Sequence, residues 1–224
     1  MVTAAAPIPR AAAAQIEVCF SPPLPGGCDP ASAIEEALKA ARRSILVQAY
    51  EITPGPLVAA LIDAHRRGVE VRAIVDYKQL TDRRNHDDAF AVQHLSDAGI
   101  PVLVDKPPGI MHDKVMIIDG DTVVTGSFNY TYSAEHRNVE NLLVIRDPTL
   151  AAQYVQHWQS RAIESRPLRP GVTGAGGQSF AALGGAASRC ARTTPHSVAA
   201  PASATANVRI ARGQLPSCVM FVST

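Results

Sequence analysis

No stretch of the 224-residue chain approaches the roughly 18 consecutive apolar residues of a membrane-spanning helix, so no integral membrane segment is expected. Charge of one sign is missing as well. Lys and Arg number 21 against 20 Asp and Glu, and a net charge of +1 provides no global basic field to announce a polyanion partner. Only a local patch could do that. Lys39, Arg42, Arg43, Arg66, Arg67, Arg83 and Arg84 are the candidates, each more simply read as part of a solvated helix face. C-x-x-C spacing is absent among the four cysteines, which removes the usual zinc sites. Cys190 and Cys218 lie in low-complexity sequence. Cys19 and Cys28 bracket FSPPLPGG and would close a short loop by a disulfide in an oxidising compartment, two free thiols being the other reading. The N-terminus lacks the charged and apolar regions of a secretory signal, although Ala11–Ala14 followed by Gln15 resembles the small-residue end of one. Residues 1–14 are therefore read as a leader or signal remnant. A periplasmic or secreted location is the expectation, with a cytoplasmic one left open.

What is present is an apolar content of 46%, enough for a sizeable core, and a regular alternation of strand and helix signals over residues 15–166. Strands are expected at Gln15–Phe20, Ser44–Ile52, Val69–Asp76, Pro101–Val104 and Val139–Ile145. Asp29-Pro30 should cap a helix running to about Arg43, and Thr53-Pro54 a second one whose stripe is Leu57, Val58, Leu61, Ile62 and His65, closed by Gly68. A third helix is read over Asp88–Ala98, and a last one opens at Asp147-Pro148 with Leu150, Tyr154, Trp158 and Ala162 at four-residue spacing. The charged stretch Tyr77–Asp87 reads as a mobile loop. These signals predict an α/β fold, a mixed β-sheet flanked by helices on both faces. From Pro167 onward Gly, Ala, Ser, Thr and Pro dominate and periodicity ends, so residues 167–224 read as a low-complexity, disordered tail.

The most informative stretch is IMHDKVMIIDGDTVVTGSFN, from Ile110 to Asn129. Two apolar runs around Asp119-Gly120-Asp121 signal a hairpin. Side chains two apart on a strand share a face, so His112 and Lys114 point one way, and Ser127 and Asn129 form a second pair past the return strand. An imidazole, an ammonium, a hydroxyl and an amide then converge at one end of the hairpin. That set suits a phosphoryl group: the imidazole can attack phosphorus while Lys, Ser and Asn hold the non-bridging oxygens. Only His112 is followed two residues later by Lys; the other six histidines are not.

The spacing His112-x-Lys114, four residues, Asp119, six residues, Gly126-Ser127-x-Asn129 resembles the signature of the phospholipase D superfamily, with every position filled. The segments ILVQAYEIT, RRGVEVRAIVD, GIPVLVD and RNVENLLVIRDP extend the resemblance to that family's small single-motif bacterial endonucleases. It covers residues 15–166, the expected catalytic domain. The resemblance implies that His112 is the nucleophile and that Lys114, Asn129 and Ser127 hold the phosphate. It makes Glu140 the carboxylate that orients the imidazole, and Asp119 and Gly126 structural members of the motif. It further implies a metal-independent phosphodiesterase without cofactor, acting on DNA, with RNA as a further substrate, as a homodimer. A divalent ion held by Asp113, Asp119, Asp121 and Glu140 is the competing idea for the chemistry. Two other readings of function remain: a phospholipase D acting on a lipid head group, and a non-catalytic module that grips phosphates.

Overall fold

The computed structural model describes residues 13–53, 55–82 and 86–169; residues 1–12 and 170–224, which hold nearly all of the expected leader and tail, lie outside them. In chain order the elements are β1 (Gln15–Ser21), α1 (Pro30–Ala40), β2 (Ser44–Ala49), α2 (Pro56–Arg66), β3 (Glu70–Asp76), α3 (Tyr77–Thr81), α4 (His86–Asp97), β4 (Val102–Asp105), β5 (Lys114–Ile118), β6 (Thr122–Gly126), α5 (Tyr132–His136), β7 (Glu140–Arg146), α6 (Pro148–Glu164) and β8 (Arg166–Pro167). They form one sheet in the order β1-β7-β6-β5-β2-β3-β4-β8. β2, β3 and β4 are parallel, since each crossover carries a helix, and all other neighbours are antiparallel.

Period-two alternation sorts the sheet residues onto its two faces. Ile45, Val47, Val71, Ala73, Met116 and Val124 join Ile34, Leu38, Leu61 and Val92 of α1, α2 and α4 in the larger core. Their neighbours Ile74, Val115, Ile117 and Val123 join Ala151 and Trp158 of α6 on the opposite side. The fold is therefore α/β, a mixed sheet with helices on both faces, three of the longer helices on one and α6 on the other. Trp158 is buried at the centre of the smaller core, where its indole N–H donates to the Val47 carbonyl at 3.0 Å.

Several boundaries differ from the sequence reading, each for a local reason. α1 stops at Ala40 rather than near Arg43, because the Asp119 carboxylate takes the backbone N–H groups of Arg42 (2.9 Å), Arg43 (2.6 Å) and Ser44 (3.0 Å). Gly55, not Thr53, is the N-cap of α2, with Pro56 in the first turn; the Thr53 hydroxyl instead accepts from the Tyr132 N–H at 3.3 Å. Tyr77–Thr81 is a helix, not a loop. Asp76 caps it by accepting from the Gln79 N–H at 2.9 Å, and Leu80 is buried beneath it. β2 ends at Ala49, three residues early, since the N–H of Tyr50 turns to the Asp113 carbonyl (2.9 Å) and that of Ile52 to the buried Asp88 carboxylate (3.1 Å). The ordered chain continues past Arg166, where β8 pairs with β4 and the Leu168 N–H donates to Val102 at 3.0 Å.

Candidate active site

The site begins with the hairpin β5–β6. Asp119 and Gly120 both have positive φ, 54° and 71°, and the Asp121 N–H returns to the Ile118 carbonyl at 3.2 Å. This is the mirror-image turn whose twist matches the strands, which is why an Asp-Gly pair sits there. Burial would raise the Asp119 pKa, but the N–H groups of Ser44, Arg43 and Arg42, together with the Arg43 charge, outweigh it and hold the carboxyl below its ordinary value. Arg43 also bonds the Asp119 carbonyl and lies 3.6 Å from Asp121. Asp119 and Asp121 thus sit at the turn end of β5 and β6, whereas Asp113 and Glu140 flank the other end. The four carboxylates considered as metal ligands do not meet.

At that other end Lys114 opens β5, paired with Ala49 of β2, and only 8% of it is exposed. Its ammonium donates to the His112 carbonyl at 3.0 Å and lies 4.8 Å from the centre of the Tyr50 ring. Burial lowers its pKa, and the carboxylates of Glu51, Asp113 and Glu140 partly offset that. His112 itself is exposed, one residue outside the strand. Its ring meets the Tyr50 ring edge-on, centres 4.5 Å apart.

Both neighbours of His112 are anchored. The Met111 N–H donates to the Asp76 carboxylate at 2.7 Å, and Met111 is buried. The Asp113 carbonyl accepts from Tyr50, while its carboxylate is held by Gln48 Nε2 and His157 Nε2, each at 3.0 Å. The backbone on either side of the imidazole is therefore fixed and the ring alone is free to meet a substrate.

The Gly126-Ser127-x-Asn129 segment leaves β6 through a bulge. The Asn141 carbonyl of β7 accepts from both Ser127 N–H (3.1 Å) and Phe128 N–H (3.3 Å). A Cβ on Gly126 would lie 2.2 Å from that same carbonyl oxygen, so glycine is required here by the approach of β7 and not by its own dihedrals. Phe128 is buried and pins the bulge to the core. The Ser127 hydroxyl donates to Glu140 Oε2 at 2.5 Å, and the Asn129 amide donates to Glu51 Oε2 at 3.0 Å.

Lys114 is the hub of this set: it touches His112 and Tyr50 and feels Glu51 and Glu140, which in turn hold Asn129 and Ser127. His112, Lys114, Ser127, Asn129 and Glu140 are thus gathered at one end of the hairpin. One expected contact is absent among the described residues. Glu140 does not bond the imidazole; its two oxygens accept from Ser127 and from Asn138 Nδ2 at 2.9 Å. Sequence reading also missed Tyr50, Glu51, Asp76 and His157. Asp76 ends β3 and Tyr50 and Glu51 lie just past β2, so polar residues at the ends of apolar strands were the available signal; His157 lies on a helix face and gave none. Separately, Cys19 of β1 and Cys28 form a disulfide.

An exposed imidazole, a buried ammonium, a hydroxyl and an amide beside one open surface can hold and attack a phosphodiester, and they sit on a mixed α/β sheet. Comparison with known proteins gives the family. The family model for the cardiolipin synthase, phospholipase D-like domain matches residues 34–161. The phospholipase D of Rickettsia bellii is 45% identical over 148 residues, 66% of this chain and 69% of that protein. The mitochondrial cardiolipin hydrolase of Xenopus laevis is 32% identical over 137 residues, 61% of this chain and 63% of that one. A crystal structure of a phospholipase D family member, Nuc from Salmonella typhimurium, superposes with a TM-score of 0.63 at 36% identity, covering 70% of this chain and 99% of Nuc. The chain belongs to the phospholipase D superfamily. It is a hydrolase of phosphodiesters, built on that superfamily's sheet.

Proposed function

We propose that the protein is a metal-independent, sequence-nonspecific endonuclease that cleaves DNA, and RNA as a further substrate, through a phosphohistidine on His112 in a homodimer. The observation that carries this reading is the open site itself: the imidazole stands exposed at the surface among polar groups, while the folded domain matches Nuc over nearly its full length. A nitrogen of neutral His112 attacks phosphorus, and the bond to the leaving oxygen breaks. Lys114, Asn129 and Ser127 steady the phosphoryl oxygens, Asn129 and Ser127 exchanging their carboxylate partners Glu51 and Glu140 for the substrate. In-line displacement puts the leaving oxygen on the far side of phosphorus, out of reach of the attacking ring. The proton it needs comes from the partner's His112, which enters protonated. Water then attacks the phosphohistidine, gives its proton to that second imidazole, and the P–N bond breaks.

One feature of the chain supports a second copy. Ile16, Val18 and Phe20 form an exposed apolar row on the outer strand β1, whose next residue, Ser21, pairs with Glu140. Such uncovered stripes on an edge strand suit a partner subunit. The Cys19–Cys28 disulfide supports an oxidising compartment, periplasmic or extracellular.

A second reading has its own observation. Ile110 is 42% exposed two residues before His112, and Val139, next to Glu140, is 89% exposed. Apolar side chains bracketing the site suit a phospholipid surface, so a head-group phospholipase is the alternative. The test is a substrate panel with EDTA present: plasmid and single-stranded oligonucleotide on one arm, phosphatidylcholine and cardiolipin vesicles on the other. Nicking in EDTA without lipid turnover is expected. Head-group release without nicking overturns the nuclease reading, and nicking that requires added magnesium overturns its metal-free chemistry.

A further inference from the structure

A second concentration of charge lies away from His112. A cleft of about 420 Å³ opens where the end of β4, the short strand β8 and the start of α3 meet. Its charged lining is Lys106, Arg166 and Arg169, with Glu164 the one carboxylate. Glu164 is already bound by Arg161 at 2.7 Å, and Arg161 is at the same time clamped to the buried Asp105 by two bonds of 2.7 and 2.8 Å. None of the three lining cations has an ion-pair partner among the described residues. Lys106 packs its ammonium over the Tyr77 ring at 4.2 Å, which holds that charge at the wall of the cleft. Arg161 offsets only one of the two carboxylates Asp105 and Glu164, so the three lining cations still leave a net positive charge at the cleft.

The sheet register ties this cleft to the active site. Lys114 pairs with Ala49, Ala49 with Val75, Val75 with Val104, and Val104 with Arg166. The active-site lysine and the cleft arginine thus stand in one row across the sheet. Four strand spacings of about 4.8 Å separate them by roughly 19 Å. Tyr77 follows Asp76, whose carboxylate holds the residue before His112, so both sites also share one end of β3.

We propose that this cleft is a second phosphate-binding subsite, which grips the backbone of a nucleic-acid strand whose scissile diester lies at His112. The proposal rests on the nuclease reading above and adds where the rest of the substrate goes. A head-group diester cannot span roughly 19 Å, whereas a strand rising about 3.4 Å per nucleotide covers it in about six nucleotides. Guanidinium groups suit such backbone contacts, because their fork matches two phosphate oxygens at once.

The test uses the triple variant Lys106→Ala, Arg166→Ala, Arg169→Ala. Turnover of bis(4-nitrophenyl) phosphate, which reaches only His112, should match wild type and certifies fold and chemistry. Affinity is then measured by fluorescence anisotropy in a His112→Ala background, with and without the triple change, for oligodeoxynucleotides of 4 and 20 nucleotides. The 4-mer should bind equally well to both. The 20-mer should lose at least tenfold at low salt. Its slope of log affinity against log salt should flatten by about 2, since each single-strand phosphate contact contributes about 0.7. Equal 20-mer affinity and slope overturn the subsite alone, because the unaltered protein would still cut DNA. Loss of binding to cardiolipin vesicles with unchanged 20-mer binding overturns it in favour of a membrane surface. If the unaltered protein binds neither oligonucleotide and hydrolyses vesicles instead, the nuclease reading falls and the subsite falls with it.

Discussion

The His112 ring makes no hydrogen bond among the described residues: it is exposed, and the contacts that fix its backbone belong to its neighbours Met111 and Asp113 and to the Lys114 ammonium. Truncation should therefore separate chemistry from folding. We expect His112→Ala to melt within about 0.5 kcal/mol of wild type, as exposed substitutions usually do, and to lose all measurable turnover. Rapid acid quenching of the wild type with a labelled diester should trap phosphate on His112, and an active His112→Ala enzyme would remove the basis of the mechanism. Lys114 behaves differently because it is buried. Burial lowers its pKa, so as pH rises its ammonium loses its proton before the ordinary lysine value of 10.5 is reached. The alkaline limb of kcat/KM should accordingly fall below pH 10.5. An alkaline limb that stays at or above the ordinary lysine value would show that this ammonium does not govern binding.

The hairpin is the element that carries the site, and its two ends are defended in different ways. At the outer end Asp119 combines a left-handed backbone with a carboxylate that binds three N–H groups of the α1–β2 connection. Asp119→Ala loses those bonds and strains the turn, for a destabilisation of about 2–3 kcal/mol in urea titration. Because its folded pKa is depressed, this stabilisation is complete above the ordinary aspartate value and is lost as pH falls through the lower folded value. Asp119→Asn keeps an acceptor and tolerates the turn, so it should cost less and flatten the acid side of the stability curve. At the inner end Gly126→Ala drives a methyl into the Asn141 carbonyl. We expect about 2 kcal/mol of lost stability from this overpacking. Activity should drop more than tenfold, since moving the bulge moves Ser127 and, through it, Glu140. A Gly126→Ala protein with wild-type activity would show that the bulge does not set the site.

At the scale of the molecule, one chain supplies one His112 and one Lys114, while the proposed reaction needs an attacking and a protonating group on opposite sides of phosphorus. A two-fold dimer meets that need with a single composite site and is the commonest oligomer geometry. Mixing tests it. Heterodimers of wild type with His112→Ala should be nearly inactive, because either empty role blocks one half-reaction. The pH profile should be bell-shaped, from two coupled imidazoles. Sedimentation of a fully active monomer at assay concentration would refute the arrangement. It would leave the acid to another group of the same chain, with His136, stacked at 4.2 Å on the exposed Tyr132 ring, the first candidate.

The sequence by itself determined the elements whose signals are local. Asp29-Pro30 and Asp147-Pro148 cap their helices, Asp-Gly makes its turn, and the apolar segments become strands, because capping, turn dihedrals and periodicity each act within a few residues. It also determined the motif, since its residue types and spacing are written along the chain without any tertiary help. What only the tertiary structure decided are contacts between segments far apart in the chain. Asp119 ends α1 from 77 residues away, Asp76 fixes Met111 from 35, and Glu51 holds Asn129 from 78. The glycine at 126 is explained by β7 pressing on it, and the row from Lys114 to Arg166 exists only because β2, β3, β4 and β8 pair in that register. Such contacts depend on which strands become neighbours, and strand order is settled by the packing of the whole sheet against its helices rather than by any local pattern.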